Sequence, residues 1–272
     1  MNHRKGLARV EVIVTAVALV LLAVNLQAIS GGGRNIAKRE VCLANLRTLA
    51  AAWQMYANDN AGKSPVGWNG GTMWMVDFLP YFNWTEDISM CPTARNLLSN
   101  SSDSFAAGVF TAWGKYGEGS WAAYTPVWAQ KGMYGSYGVN GWAHNPPDIG
   151  VTINGVKLYD IAIADRPKYW RTINVPHPDK VPLFGDCMWD GTESEATDSP
   201  PVSRGVQSSN MSIFCIDRHL AGNTAMAFMD GSARQVGLKE LWRLKWHRNF
   251  NTNLVSDWPE WMKTLKDYPP EG

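Results

Sequence analysis

The sequence predicts an α+β chain, a long N-terminal helix followed by an antiparallel β-sheet head with long loops. Three observations carry this prediction. An apolar run, Val12 to Val24, lies near the start. A second stretch, Arg34 to about Asn60, sets its apolar residues on one helical stripe. From Tyr134 onward, short apolar runs alternate with turn signals, among them Asn154-Gly155 and Asp230-Gly231.

The first element is the apolar one. Met1 to Lys5 is polar and basic, and Gly6 closes it. A helix from Val10 to Ile29 would be about 30 Å long, enough to cross a bilayer core. His3, Arg4 and Lys5 lie only on its N-terminal side. That bias keeps the N-terminus in the cytoplasm and sends the rest of the chain outward. Three readings fit the segment. Ala28-Ile29-Ser30 would suit a secretory cleavage site, and a plain signal anchor needs no cleavage at all. The third rests on Gly6 and Glu11, because a carboxylate at the leading edge of a membrane helix is costly and marks a specific partner.

On those residues the segment resembles the prepilin-type leader of type IV pilins and type II secretion pseudopilins. In that family a basic leader ends in Gly, and a Glu stands fifth after the cut. Counting from Leu7, Glu11 is fifth. The resemblance implies cleavage by a prepilin peptidase between Gly6 and Leu7, usually with N-methylation of the new terminus. It also implies self-association into a filament by an assembly machinery. Glu11 would pair with the terminal amine of a neighbouring subunit and so fix axial register. Two residues depart from the family pattern: Leu7 replaces the usual Phe, and Arg9 stands where an apolar residue is normal. The organisation implied is leader 1–6, membrane or filament-core helix 7–30, amphipathic helix 31–63 and a pilin-like extracytoplasmic head 64–272. The chain would cross the inner membrane once, with the head in the periplasm or in an extracellular filament.

Composition narrows the remaining classes. The net charge is +1, which gives no electrostatic case for nucleic acid as a partner. Charged residues make up 18% of the chain, while it holds 25 Gly and 14 Trp, a profile of a loop-rich, aromatic-packed head. The cysteines, Cys42, Cys91, Cys187 and Cys215, all follow the apolar segment. In an oxidising compartment they allow two disulfides. None forms a C-x-x-C unit, which argues against zinc.

Beyond the apolar segment, Ser30 and three consecutive glycines predict a hinge or break, since each glycine costs about 1 kcal/mol in a helix. In the next helix Cys42, Leu46, Leu49, Trp53 and Tyr56 make the buried stripe, and Gly62 and Pro65 end it. Cys42-x-x-Asn45-Leu46-Arg47-x-Leu49, then Ala52, Tyr56-Ala57, Asp59-Asn60, Gly62 and Pro65 resemble one large-headed subfamily of pilin-like proteins. In that subfamily a Cys-Pro pair follows, here Cys91-Pro92. The resemblance favours a Cys42–Cys91 disulfide, worth roughly 3–4 kcal/mol if unstrained.

Residues 64–133 read as loop, with a short helix over Trp74–Tyr81 and a surface loop at Asn100–Ser104. The aromatics from Trp113 to Tyr137 suggest an alternative function, a membrane-anchored module that stacks polysaccharide rings, against packing over the core. Tyr134–Gly141 reads as a strand entering a turn, Val151–Lys157 as a hairpin, Val181–Cys187 as a buried strand and Met188–Ser209 as a polar loop. Thr224–Met229 and Ser232–Val236 flank the Asp230-Gly231 turn. With His219 and Gly222-Asn223, this hairpin resembles the C-terminal signature of the same subfamily, where the turn is usually Asp-Gly-His; Ser232 stands in the last place. Leu238–His247 and Trp258–Leu265 read as helices.

Catalysis would need His219, Asp186 and Asp230 in one open pocket. One histidine among scattered carboxylates has no ligand spacing, so neither a catalytic group nor a metal site is expected. A Ca²⁺ site among Asp186, Asp190, Glu193, Glu195 and Asp198 has no EF-hand-like spacing to support it. The expectation is a structural subunit, not an enzyme, with no cofactor.

Overall fold

In the computed structural model, the structure describes residues 32–68, 73–82, 86–97, 108–114, 133–153, 156–157, 160–219, 222–254 and 257–268. Gly6, Leu7, Glu11 and the whole segment 7–30 lie outside these. Among the described residues, no helix is long and apolar enough to cross a membrane. By compactness the chain divides into two units, residues 1–40 and 41–272.

Helix α1 covers residues 32–59. Gly32 and Gly33 belong to it, so the predicted break does not fall on them; Gly31 lies outside the described residues. The predicted stripe is buried: Cys42, Leu46, Leu49 and Trp53 are all closed to solvent, with Tyr56 partly covered. The helix ends as expected. Ala61 and Gly62 take positive φ, and the Gly62 N–H donates to the Ala57 carbonyl at 2.7 Å.

Strands β1 (Asn96–Leu97) and β2 (Thr111–Ala112) form a small parallel pair. The main sheet is built from β3 (Tyr137–Asn140), β6 (Pro182–Asp186), β7 (Gly191–Thr192), β8 (Asn223–Phe228) and β9 (Ala233–Gly237). Between β3 and β6, strands β4 (Thr152–Ile153) and β5 (Val156–Lys157) make the predicted hairpin. The main sheet runs β7-β3-β6-β8-β9. It is mixed rather than antiparallel, because β7 joins β3 in parallel. The region expected to be a polar loop supplies that edge strand. Two residues suffice because Val139 N–H donates to the Asp190 carbonyl at 3.0 Å, and Trp74 Nε1 donates to the same carbonyl at 2.8 Å.

The sheet is covered on both faces, as alternation along β8 makes plain. Ala225 and Ala227 face the layer that holds Leu46, Leu49, Trp53, Trp74 and Phe78. Met226 and Phe228 face the opposite layer of Phe214, Leu241, Trp242, Trp246 and Phe250. Phe184 of β6 is the hub of the first layer, 5.0 Å from the Trp74 ring and 5.7 Å from Trp53. The small alanines of β8 leave room for these rings.

Several helical expectations shorten. Trp74–Tyr81 is α-helical only over Trp74–Asp77 before passing into turns. Leu238–His247 is a 3-10 helix over Leu238–Arg243, because the Lys245 N–H is drawn away to the Lys180 carbonyl at 2.9 Å. The last helix spans Glu260–Lys263. The Asn100–Ser104 loop lies outside the described residues.

Candidate functional site

Four side chains from four separate parts of the chain meet beneath α1. Cys42 comes from α1, and Asp186 ends β6. Cys91 follows the short helix Glu86–Ser89, and His219 precedes β8. One potential ligand atom from each lies within 4.8 Å of all the others. The Cys42 sulfur is 3.6 Å from each Asp186 oxygen. The Cys91 sulfur is 3.4 Å from His219 Nε2, which is 3.1 Å from Asp186 Oδ2.

Local structure explains the meeting. Asn45 stands one turn after Cys42, and its amide donates to the carbonyls of Asp87 at 2.5 Å and Met90 at 3.3 Å. It thereby pins to α1 the segment that leads into Cys91. The Cys91 N–H donates to Ser136 Oγ at 2.7 Å, fixing that segment to the start of β3. The loop bearing His219 is closed by the Gly222 N–H donating to Asp217 Oδ1 at 3.0 Å.

Arg218 encloses the group from behind. Its guanidinium donates to the carbonyls of Val109 at 2.6 Å, Ser136 at 2.6 Å and Cys187 at 3.1 Å, and to Asp186 Oδ1 at 2.9 Å. The Ala225 N–H donates to Asp186 Oδ2 at 3.3 Å. Burial would raise the Asp186 carboxyl, but Arg218 and then His219 outweigh it and hold it near about 2. Burial would lower His219; its bonds to Asp186 and Cys91 instead raise it to about 10. Burial pushes the Cys42 thiol well up. It pushes Cys91 the same way, yet the hydrogen bond with Cys42, and then His219 and Arg218, bring that thiol below its ordinary value.

The arrangement has three chemical capacities: closing a bond between the two thiols, holding a soft cation, or keeping a thiolate beside an imidazolium. All four cysteines are free thiols here. Cys187 and Cys215 are buried too, and burial raises both thiols. Of the sequence-expected residues, His219 and Asp186 do come together. Asp230 does not join them: it is exposed in the β8–β9 turn, where Oδ1 accepts from the Ser232 N–H at 2.8 Å. The carboxylates weighed for Ca²⁺ disperse. Glu195 pairs with Lys168 and His247, and Asp198 accepts from the N–H groups of Glu195 and Met211.

A cavity of about 540 Å³, lined among others by Lys180, Arg243, Lys245 and Arg248, lies away from this group. Three of its cations are engaged with carbonyls: Lys245 with Phe250, Arg248 with Trp170, and Arg243 with Thr252, Leu254 and Tyr268. Trp113 and Tyr137, which bound the aromatic stretch considered for sugar stacking, are both closed to solvent; Trp121, Tyr124 and Trp128 lie outside the described residues. No protein-family model, curated protein or solved structure matches the chain.

Proposed function

We propose that the chain is a pilin-like or pseudopilin-like structural subunit. A prepilin peptidase would cut it between Gly6 and Leu7, and residues 7–30 would carry it from the inner membrane into a type IV pilus or type II secretion filament. The observation that carries this reading is the order of parts along the chain. The basic leader, Gly6 and Glu11 precede an apolar segment, which runs in sequence into α1, a helix with one stripe buried in an α+β head. In this reading α1 leads from the filament-core segment to a head placed in the periplasm. The subunit acts by assembly and not by turnover. The glycan-binding alternative gains no support, since no described tryptophan is exposed.

The test is intact mass and N-terminal sequencing of the protein extracted from membranes. A chain that starts at methylated Leu7 is the expected result. A start at Met1 would leave a plain anchor, and a start near Ser30 a secreted protein; either overturns the reading. A Glu11→Val chain should be cut normally yet enter filaments poorly.

A further inference from the structure

We propose that Cys42, Cys91, Asp186 and His219 form a tetrahedral zinc site that fastens α1 to the sheet. The ligand types are those zinc takes, two thiolates, one imidazole and one carboxylate. The spacing fits as well. With Zn–S near 2.3 Å and Zn–N or Zn–O near 2.0 Å, a tetrahedron has edges of about 3.5 Å for S···N and S···O and about 3.3 Å for N···O. Cys91 Sγ to His219 Nε2, Cys42 Sγ to Asp186 Oδ2 and His219 Nε2 to Asp186 Oδ2 measure 3.4, 3.6 and 3.1 Å, and all four ligand atoms lie within 4.8 Å of one another. Cys42 and Cys91 bind as thiolates and His219 through an unprotonated Nε2, every displaced proton passing to solvent.

Two further features fit a bound cation. Two thiolates, a carboxylate and Zn²⁺ sum to one negative charge, and the fully buried Arg218 guanidinium cancels it. Asp186 is also held in orientation by Arg218 and the Ala225 N–H, the outer support that ligating carboxylates require. A Cys42–Cys91 disulfide would use only two of the four groups. It would leave His219 Nε2 and Asp186 Oδ2 as an ion pair of 3.1 Å beside it. The site stands on the head alone and does not depend on filament assembly.

The experiment uses the full chain, extracted in detergent without a metal-binding tag and under reducing conditions. Elemental mass spectrometry should find about one zinc per chain. Cobalt exchanged into the site should show a thiolate-to-cobalt charge-transfer band. Cys91→Ser should lower retained zinc at least about tenfold, while Cys215→Ser keeps it. The cobalt spectrum is read on the unaltered chain, so it decides the matter even if a variant fails to fold. Peptide mapping that finds a Cys42–Cys91 disulfide in protein isolated without reductant overturns the proposal. So does reduced protein that retains no added zinc or shows no charge-transfer band.

Discussion

Arg218 and Asp186 form an ion pair of 2.9 Å in which both side chains are wholly closed to solvent. Such a pair is not a large source of net stability, but losing one partner strands the other charge. Arg218→Met is therefore expected to cost about 3–5 kcal/mol in denaturant unfolding. Arg218→Lys keeps the charge but cannot reach the carbonyls of Val109, Ser136 and Cys187 together with Asp186. It should still lose more than about 1 kcal/mol, the value of one ordinary hydrogen bond. An unchanged denaturation midpoint for the lysine variant would show that charge alone suffices.

Asn140 is satisfied on both sides of its amide. Nδ2 donates to the carbonyls of Pro182 at 2.9 Å and Trp246 at 2.8 Å, while Oδ1 accepts from the Trp142 N–H at 3.2 Å. One side chain thus joins β3, β6 and the C-terminal layer. Asn140→Ala takes the donor from the buried Pro182 carbonyl and leaves the Trp246 carbonyl only the Trp170 Nε1 donor at 3.0 Å, at about 1–3 kcal/mol. Asn140→Asp should be worse at neutral pH, because a carboxylate would face those carbonyls. Acidification should restore part of the loss, since a protonated acid can donate to one of them. Unfolding curves of the three chains at neutral and mildly acidic pH decide this; equal losses for Ala and Asp at neutral pH would refute it.

Gly138 sits mid-strand in β3 under close cover. A Cβ there would meet Cys187 Sγ at 2.6 Å and the Trp189 carbonyl at 2.7 Å. The second contact is backbone, so it cannot swing aside. Gly138→Ala should cost about 1–3 kcal/mol as overpacking. At Gly108 a Cβ would meet only Thr111 Oγ1 at 3.4 Å, and that alanine should stay within about 0.5 kcal/mol. Thermal melts of the two variants that shift equally would contradict this.

The difference between what the chain announced and what it hid follows from the range of each signal. The stripe of Cys42, Leu46, Leu49 and Trp53 and the turn at Asp230-Gly231 are local periodicities, and both stand in the structure. Strand β7 is two residues in a polar stretch; it exists only because β3 offers Val139 and Asn140 as partners. No residue pattern near Gly191 encodes that pairing. The four-residue site was hidden for the same reason. Each of Cys42, Cys91, Asp186 and His219 stands alone in sequence, and spacing rules for metals look for neighbours. Asn45 was the available signal. A polar residue on the turn after Cys42, with no local partner, serves to reach across to the segment that carries Cys91.

His144 supplies a pH dependence whose sign can be worked out. Its ring is buried between Trp53 and Trp68, with centroids 5.5 and 5.3 Å away, and Nε2 meets no hydrogen-bond partner. Burial lowers its pKa to about 4, with the Gly141 backbone opposing weakly. In the unfolded chain the imidazole titrates near about 6.5. Above that value both states are neutral and stability is complete. Between about 6.5 and 4 the unfolded chain takes a proton that the folded chain refuses, so stability falls as the pH falls. The whole step is about 3 kcal/mol. His144→Phe keeps an aromatic ring between the tryptophans and removes the titration. Denaturant unfolding from neutral pH to about 4.5 should therefore show a shallower decline for the variant than for the parent. Parallel declines would mean that the acid sensitivity of the fold has another source.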